Sequence, residues 1–150
     1  MIARKVLVTA TLIIVLTAAA LGQSDSTKRQ YINLPRPMPN LPFSDGVLVG
    51  NTLYLSGRIG LDPQSGKVPT DINDELHNLF DGIKNVLKGA QMTMDDLVYV
   101  QVFCPDLLLY GKFNAAYRAY FAKDFPARAF IGSGSLLFGG HFEVQCIAVK

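Results

Sequence analysis

The sequence predicts an α+β domain: a mixed sheet of about six strands with two helices packed on one face. Three observations lead there. The segments run strand, strand, helix, strand, helix, strand, strand, judged by apolar period and by Gly, Pro and Asp punctuation. Each helical segment carries one apolar stripe, so each covers a single surface. The strand segments are nearly continuous in hydrophobicity, which leaves the other sheet face apolar and uncovered. That face is expected to be buried against other subunits.

Residues 1–22 read as a secretory signal. Arg4 and Lys5 precede the apolar run 6–21, and the small residues Ala20 and Gly22 suit a cut before Gln23. The run falls short of the roughly 17–25 residues a membrane span requires, so an uncleaved N-terminal anchor is the weaker alternative. Residues 23–40 are polar and Pro-bearing, with Pro35, Pro37 and Pro39 forbidding helix; they read as a tether and an extended lead-in. The domain is then expected over 41–150.

Within it, Gly50-Asn51 between two β-type runs predicts a tight hairpin spanning 46–59, because its first position needs positive φ. Residues 61–70 are rich in turn formers, with a short extra strand near Lys67 and Val68 as an option. Asp71 suits the N-cap of a helix running to about Lys88, with Ile72, Leu76, Leu79, Phe80, Ile83, Val86 and Leu87 on its stripe and Gly89 at its C-terminal cap. Residues 97–103 are β-branched and aromatic and read as a strand. A second helix is expected over about 108–123, with Phe113, Tyr117, Tyr120 and Phe121 on its apolar face. Two strands close the chain, joined by the Gly-rich residues 132–140. That connection lacks the Gly-Lys-Ser/Thr ending of a phosphate loop.

Composition narrows the function. The 150 residues make one domain with a single core. The chain has 14 basic and 12 acidic residues, and the signal holds two of the basic ones, so the mature part balances at zero. A nucleic-acid surface needs a basic excess and is not expected. His77 and His141 have no Cys or carboxylate cluster in metal-ligand spacing, so no metal site is expected. Cys104 and Cys146 sit in apolar strands and read as small core residues; export would permit a disulfide between them.

Two charged residues stand in apolar runs near the end: Arg128 before residues 129–131, and Glu143 between Phe142 and Val144. Neighbouring strands joined by the Gly-rich segment would bring these two, fifteen positions apart, to one pocket. Arg grips a carboxylate through two parallel hydrogen bonds, and a nearby carboxylate activates water; together they suit hydrolysis of a small acid. Spacing alone favours the plainer alternative, Glu143 and Gln145 on a solvated face with Arg128 paired to one of them.

The run P-F-S-D-G-V-L-V-G-N-T-L-Y-L-S-G-R-I over 42–59, V-F-C-P-D-L with F-N-A-A-Y in residues 102–117, F-P-A-R ending at Arg128 and F-E-V-Q-C-I-A-V over 142–149 together resemble the Rid (reactive intermediate deaminase, YjgF) family. The resemblance covers about 42–150. It implies a chorismate-mutase-like fold, a homotrimer with sites in clefts between subunits, and cofactor-free hydrolysis of 2-imino acids, tautomers of enamines such as 2-aminoacrylate, to 2-oxo acids and ammonia. By matching position, Arg128 grips the substrate carboxylate and Glu143 holds or activates the water. Ser56 and Gly57 line the site, Asn114 borders it, and Phe130 offers its backbone N–H. The chain departs from the family pattern at Phe43, where many members have tyrosine, at Arg58, where glutamine is common, and at Gly60, where proline is common. Arg58 is either a second cation in the cleft or a solvated strand-end arginine. The implied partners are a small 2-imino or 2-oxo acid and further copies of the chain, with no nucleic acid and no membrane once the signal is removed. A binding protein for small carboxylates without catalysis is the alternative; nucleic-acid cleavage, attributed to some relatives, is disfavoured by the charge.

Overall fold

A computed structural model describes residues 28–35 and 40–150; the signal reading of 1–22 and its cut before Gln23 lie outside them. Hydrogen bonding gives one six-stranded sheet among these residues: β1 (Arg29–Ile32), β2 (Gly46–Val49), β3 (Thr52–Ile59), β4 (Leu97–Cys104), β5 (Ala127–Gly132) and β6 (Glu143–Val149), in spatial order β1-β2-β3-β6-β4-β5. Only β4 and β5 run parallel, so the sheet is mixed. The helices α1 (Ile72–Gly89) and α2 (Tyr110–Arg118) pack on the face carrying Leu53, Leu55, Val100, Val102, Val144 and Cys146. Phe80 of α1 meets Phe113 of α2 at 5.4 Å, and Phe113 reaches Phe142 at 5.2 Å, tying both helices to the start of β6.

The hairpin forms with Gly50 at φ 59°, and the Asp71 side chain caps α1 by accepting from Asn73 N at 2.7 Å. The sixth strand lies elsewhere than expected. Asp62 Oδ1 accepts from Gln64 N, Ser65 N and the Ser65 hydroxyl, which curls the chain ahead of Lys67 and Val68. The strand is β1, inside the stretch read as lead-in, pairing Tyr31 with Val47 and Ile32 with Gly46. Gly89 also has another role. The α1 C-cap is Ala90, followed by Gln91 at φ 57°. Gly89 is helical, and a Cβ there would come within 2.8 Å of Ile32 Cγ2, so its bareness admits β1. The second helix is shorter than 108–123: a 3₁₀ turn (Leu107–Leu109) precedes α2, and the bonds from Ala119 N to Ala116 O and Tyr120 N to Tyr117 O tighten its end.

The opposite sheet face bears the cross-strand row Tyr54, Ile147 and Tyr99; Tyr54 is 52% exposed in the single chain. The two cysteines are free and buried. Cys146 pairs across from Val100, four residues before Cys104 on β4. That separation is about 13 Å, twice what a disulfide spans. Burial raises both thiol pKa values, that of Cys146 to about 12. Both thiols are therefore expected to resist an aromatic disulfide reagent in the native protein and to react in denaturant; reaction of either in the native state would contradict this packing.

Candidate active site

Arg128 projects toward the helices, because it pairs in register with Val100, whose side chain is fully buried under them. Its guanidinium enters an aromatic enclosure. Cζ lies 4.6 Å from the Tyr117 ring, 5.6 Å from Phe113, 5.8 Å from Tyr110 and 6.0 Å from Phe130. These ring faces favour the cation over bulk water loss. Nη2 donates to Asn114 Oδ1 at 2.6 Å, which fixes the plane of the fork. Asn114 stands one turn after Tyr110 and one residue after Phe113, and two successive turns of α2 supply three of the four rings, Tyr110, Phe113 and Tyr117. Burial pushes the Tyr117 phenol up to about 12, against the pull of Arg128, and its hydroxyl has no hydrogen-bond partner among the described residues. Tyr110 is half-exposed, and its phenol lies below the ordinary value, first through a hydrogen bond with the Asn114 side chain and then through the charge of Arg128.

Glu143 opens β6 on the other face. It pairs with Phe103 and Ile59, while its neighbour Val144 pairs with Val102 and Arg58 on the helix side. Gly57 lies beneath its side chain. A Cβ at Gly57 would overlap Glu143 Oε1 and stand 3.0 Å from Cδ, so only glycine leaves the carboxylate its place. A register shift between Leu55 and Arg58 makes room for this arrangement. Ser56 donates its hydroxyl to Ser44 O at 2.7 Å and its N–H to Asp45 O at 3.0 Å, holding the segment that carries the half-exposed Phe43.

The expected residues thus separate into two groups. Arg128, Asn114 and Phe130 form one, on the helix side of the edge strand β5. Glu143, Gly57 and Ser56 form the other, near the opposite face. The expectation that neighbouring strands join Arg128 and Glu143 is corrected within one protomer: β4 lies between β5 and β6, about 10 Å of sheet, and strand parity points the side chains to opposite faces. Arg58, the next residue after Gly57, turns to the helix side, bonds Asp45 Oδ1 at 3.2 Å and lies against α1 at Gly82.

Sequence reasoning missed three residues. Tyr110 had a signal, its i, i+4 relation to Asn114. Tyr117 was read only as core. Glu75 is fully buried on the α1 stripe and accepts from His141 N at 2.7 Å, His141 Nδ1 at 2.6 Å and Phe142 N at 3.3 Å, anchoring the chain just before Glu143. Among the described residues no group of three or more His, Cys, Asp or Glu is placed to hold a metal ion.

The family model described as Endoribonuclease L-PSP matches residues 34–150. A 2-iminobutanoate/2-iminopropanoate deaminase of Bos taurus is 36% identical over 110 residues, covering 73% of this chain and 80% of that protein. Among solved structures, the YjgF gene product of E. coli superposes with TM-score 0.75 at 30% identity, covering 81% of this chain and 98% of that one. TdcF of E. coli with bound serine superposes with TM-score 0.74 at 25% identity, covering 81% of this chain and 99% of that one.

Proposed function

The chain belongs to the Rid/YjgF family, and from that premise we propose that it hydrolyses reactive 2-imino acids to 2-oxo acids and ammonia in a site completed between subunits of a homotrimer. The observation that carries this reading is the pair of half-sites. Arg128 is held ready for a carboxylate by Asn114 and the aromatic enclosure, and Glu143 is held over Gly57 with no ion pair to a basic side chain among the described residues. Each half lacks what the other has. The apolar row Tyr54, Ile147 and Tyr99 supplies a surface on which copies would meet.

In this reading the Arg128 fork takes the substrate carboxylate. Glu143 of a neighbouring subunit accepts a proton from water as it attacks C2. The substrate is intrinsically labile, so fixing it against an oriented water suffices without a cofactor. Two names among the relatives agree with the ligand class, a 2-imino acid deaminase and a protein holding serine, an amino acid with the same carboxylate. A binding protein without catalysis would use Arg128 and leave Glu143 idle.

The test generates 2-aminoacrylate and 2-iminobutanoate in situ and follows their loss against a semicarbazide trap. The protein is expected to accelerate imine loss, and Glu143→Gln to slow it by roughly 100-fold or more. Equal behaviour of Glu143→Gln and the unchanged protein would favour the binding reading. Export belongs to the same proposal and rests on residues 1–22. Mass spectrometry of the protein from its native host is expected to find Gln23 at the N-terminus; retention of residues 1–22 would favour the anchor.

A further inference from the structure

Imine hydrolysis moves two protons at its first step: one leaves the attacking water, and one arrives on the imine nitrogen. Glu143 accepts the first in the reading above and does not supply the second at the same moment. The donor belongs beside Arg128, because the imine carbon is bonded directly to the carboxylate that Arg128 would hold. Few groups of the Arg128 half-site qualify. The guanidinium does not release a proton in proteins. The Asn114 amide is no acid, and Phe113 and Phe130 carry no polar atom. The Tyr117 hydroxyl is buried and its phenol is pushed up to about 12. Tyr110 remains. It is 48% exposed, its ring meets Phe130 edge-on at 5.0 Å and lies 5.8 Å from Arg128 Cζ, and it stands one helical turn before Asn114.

We propose that the Tyr110 hydroxyl is the proton donor to the imine nitrogen of the bound substrate, an assignment that rests on the deaminase reading. The phenol O–H breaks as the N–H forms, while water adds its oxygen to C2 and gives a proton to Glu143. The product is a carbinolamine, with Tyr110 as phenolate and Glu143 protonated. Glu143 then protonates the amino group, the C–N bond breaks, and the carbinolamine hydroxyl returns its proton to Tyr110 as C=O forms. The sum is imine plus water to 2-oxo acid plus ammonia, with both side chains restored. The environment suits a transient phenolate. The charged groups acting on Tyr110 are Arg128 from β5 and Arg118 from α2, both cations, and the Asn114 bond also lowers its pKa.

The experiment compares the unchanged protein, Tyr110→Phe and Arg128→Ala on 2-iminopropanoate generated in situ, subtracting spontaneous hydrolysis, over a range of pH. Tyr110→Phe removes one half-exposed oxygen and keeps the ring contacts. Its kcat is expected to fall roughly 100-fold with KM unchanged. The unchanged protein is expected to lose kcat on the alkaline side, below the ordinary phenol pKa, and Tyr110→Phe to lack that limb. Unchanged kcat and pH profile in Tyr110→Phe, with Arg128→Ala inactive, would overturn the Tyr110 assignment and leave the deaminase reading standing. A raised KM with unchanged kcat would likewise overturn it and make Tyr110 a binding group. An inert unchanged protein would remove the deaminase reading and the Tyr110 step with it.

Discussion

Subunits carrying Arg128→Ala and subunits carrying Glu143→Gln, each inactive alone, are expected to regain imine hydrolysis when refolded together. Either substitution should cost at least roughly 100-fold by itself, since one removes the carboxylate fork and the other the base. In a mixed assembly, some interfaces pair an intact Arg128 from one protomer with an intact Glu143 from its neighbour. Random assembly of equal amounts gives such an interface in about a quarter of positions, so about a quarter of the original activity should return. The reason is geometric. Strand parity sends the two side chains to opposite faces of one sheet, and β4 separates their strands. No rotamer of either residue removes that barrier. Native mass spectrometry of differently tagged subunits would confirm mixing. Mixed assemblies that stay inactive would mean that the two residues do not act across an interface.

The same geometry explains what the sequence could and could not tell. Arg128 and Glu143 were visible because a charge inside an apolar run needs a reason. Gly57 was visible as a strand glycine, and its reason is now specific, the space taken by the Glu143 carboxylate. Which strands are neighbours was not visible. The pairing of β4 with both β5 and β6 is a long-range choice, and the loop between β5 and β6 carries no turn signature that forces a hairpin. β1 escaped notice because its sequence, Arg-Gln-Tyr-Ile, buries only Ile32 and gains its place through backbone pairing at a sheet edge. Arg58 was ambiguous in sequence, and Asp45 settles its direction through an ion pair on the helix side. Glu75 was hidden by a sound rule: glutamate on a helix is usually solvated, and three inward-facing donors are what overturn it here.

Glu75 also carries the largest expected effect on stability. Its carboxylate is the partner of two backbone N–H groups, those of His141 and Phe142, and of the half-exposed His141 ring. Glu75→Ala leaves the Phe142 N–H buried with no acceptor, frees the His141 N–H and opens a void among fully packed atoms. Each orphaned donor costs about 1–3 kcal/mol, so a total loss of about 3 kcal/mol is expected, read as a lower urea midpoint with an unchanged slope. Glu75→Leu separates the causes. It refills the space and leaves the donors unpaired, so it should remain nearly as damaging as alanine. Glu75→Gln keeps one oxygen that reaches both backbone N–H groups, since both now bond Oε1. It should cost about 1 kcal/mol, the bond to the ring. If Glu75→Leu proved as stable as the unchanged protein, packing alone would hold this corner and the carboxylate would be dispensable to the fold. If the order Gln, Leu, Ala appears instead, hydrogen bonding to 141 and 142 sets the entry of β6, and with it the position from which Glu143 leaves the sheet.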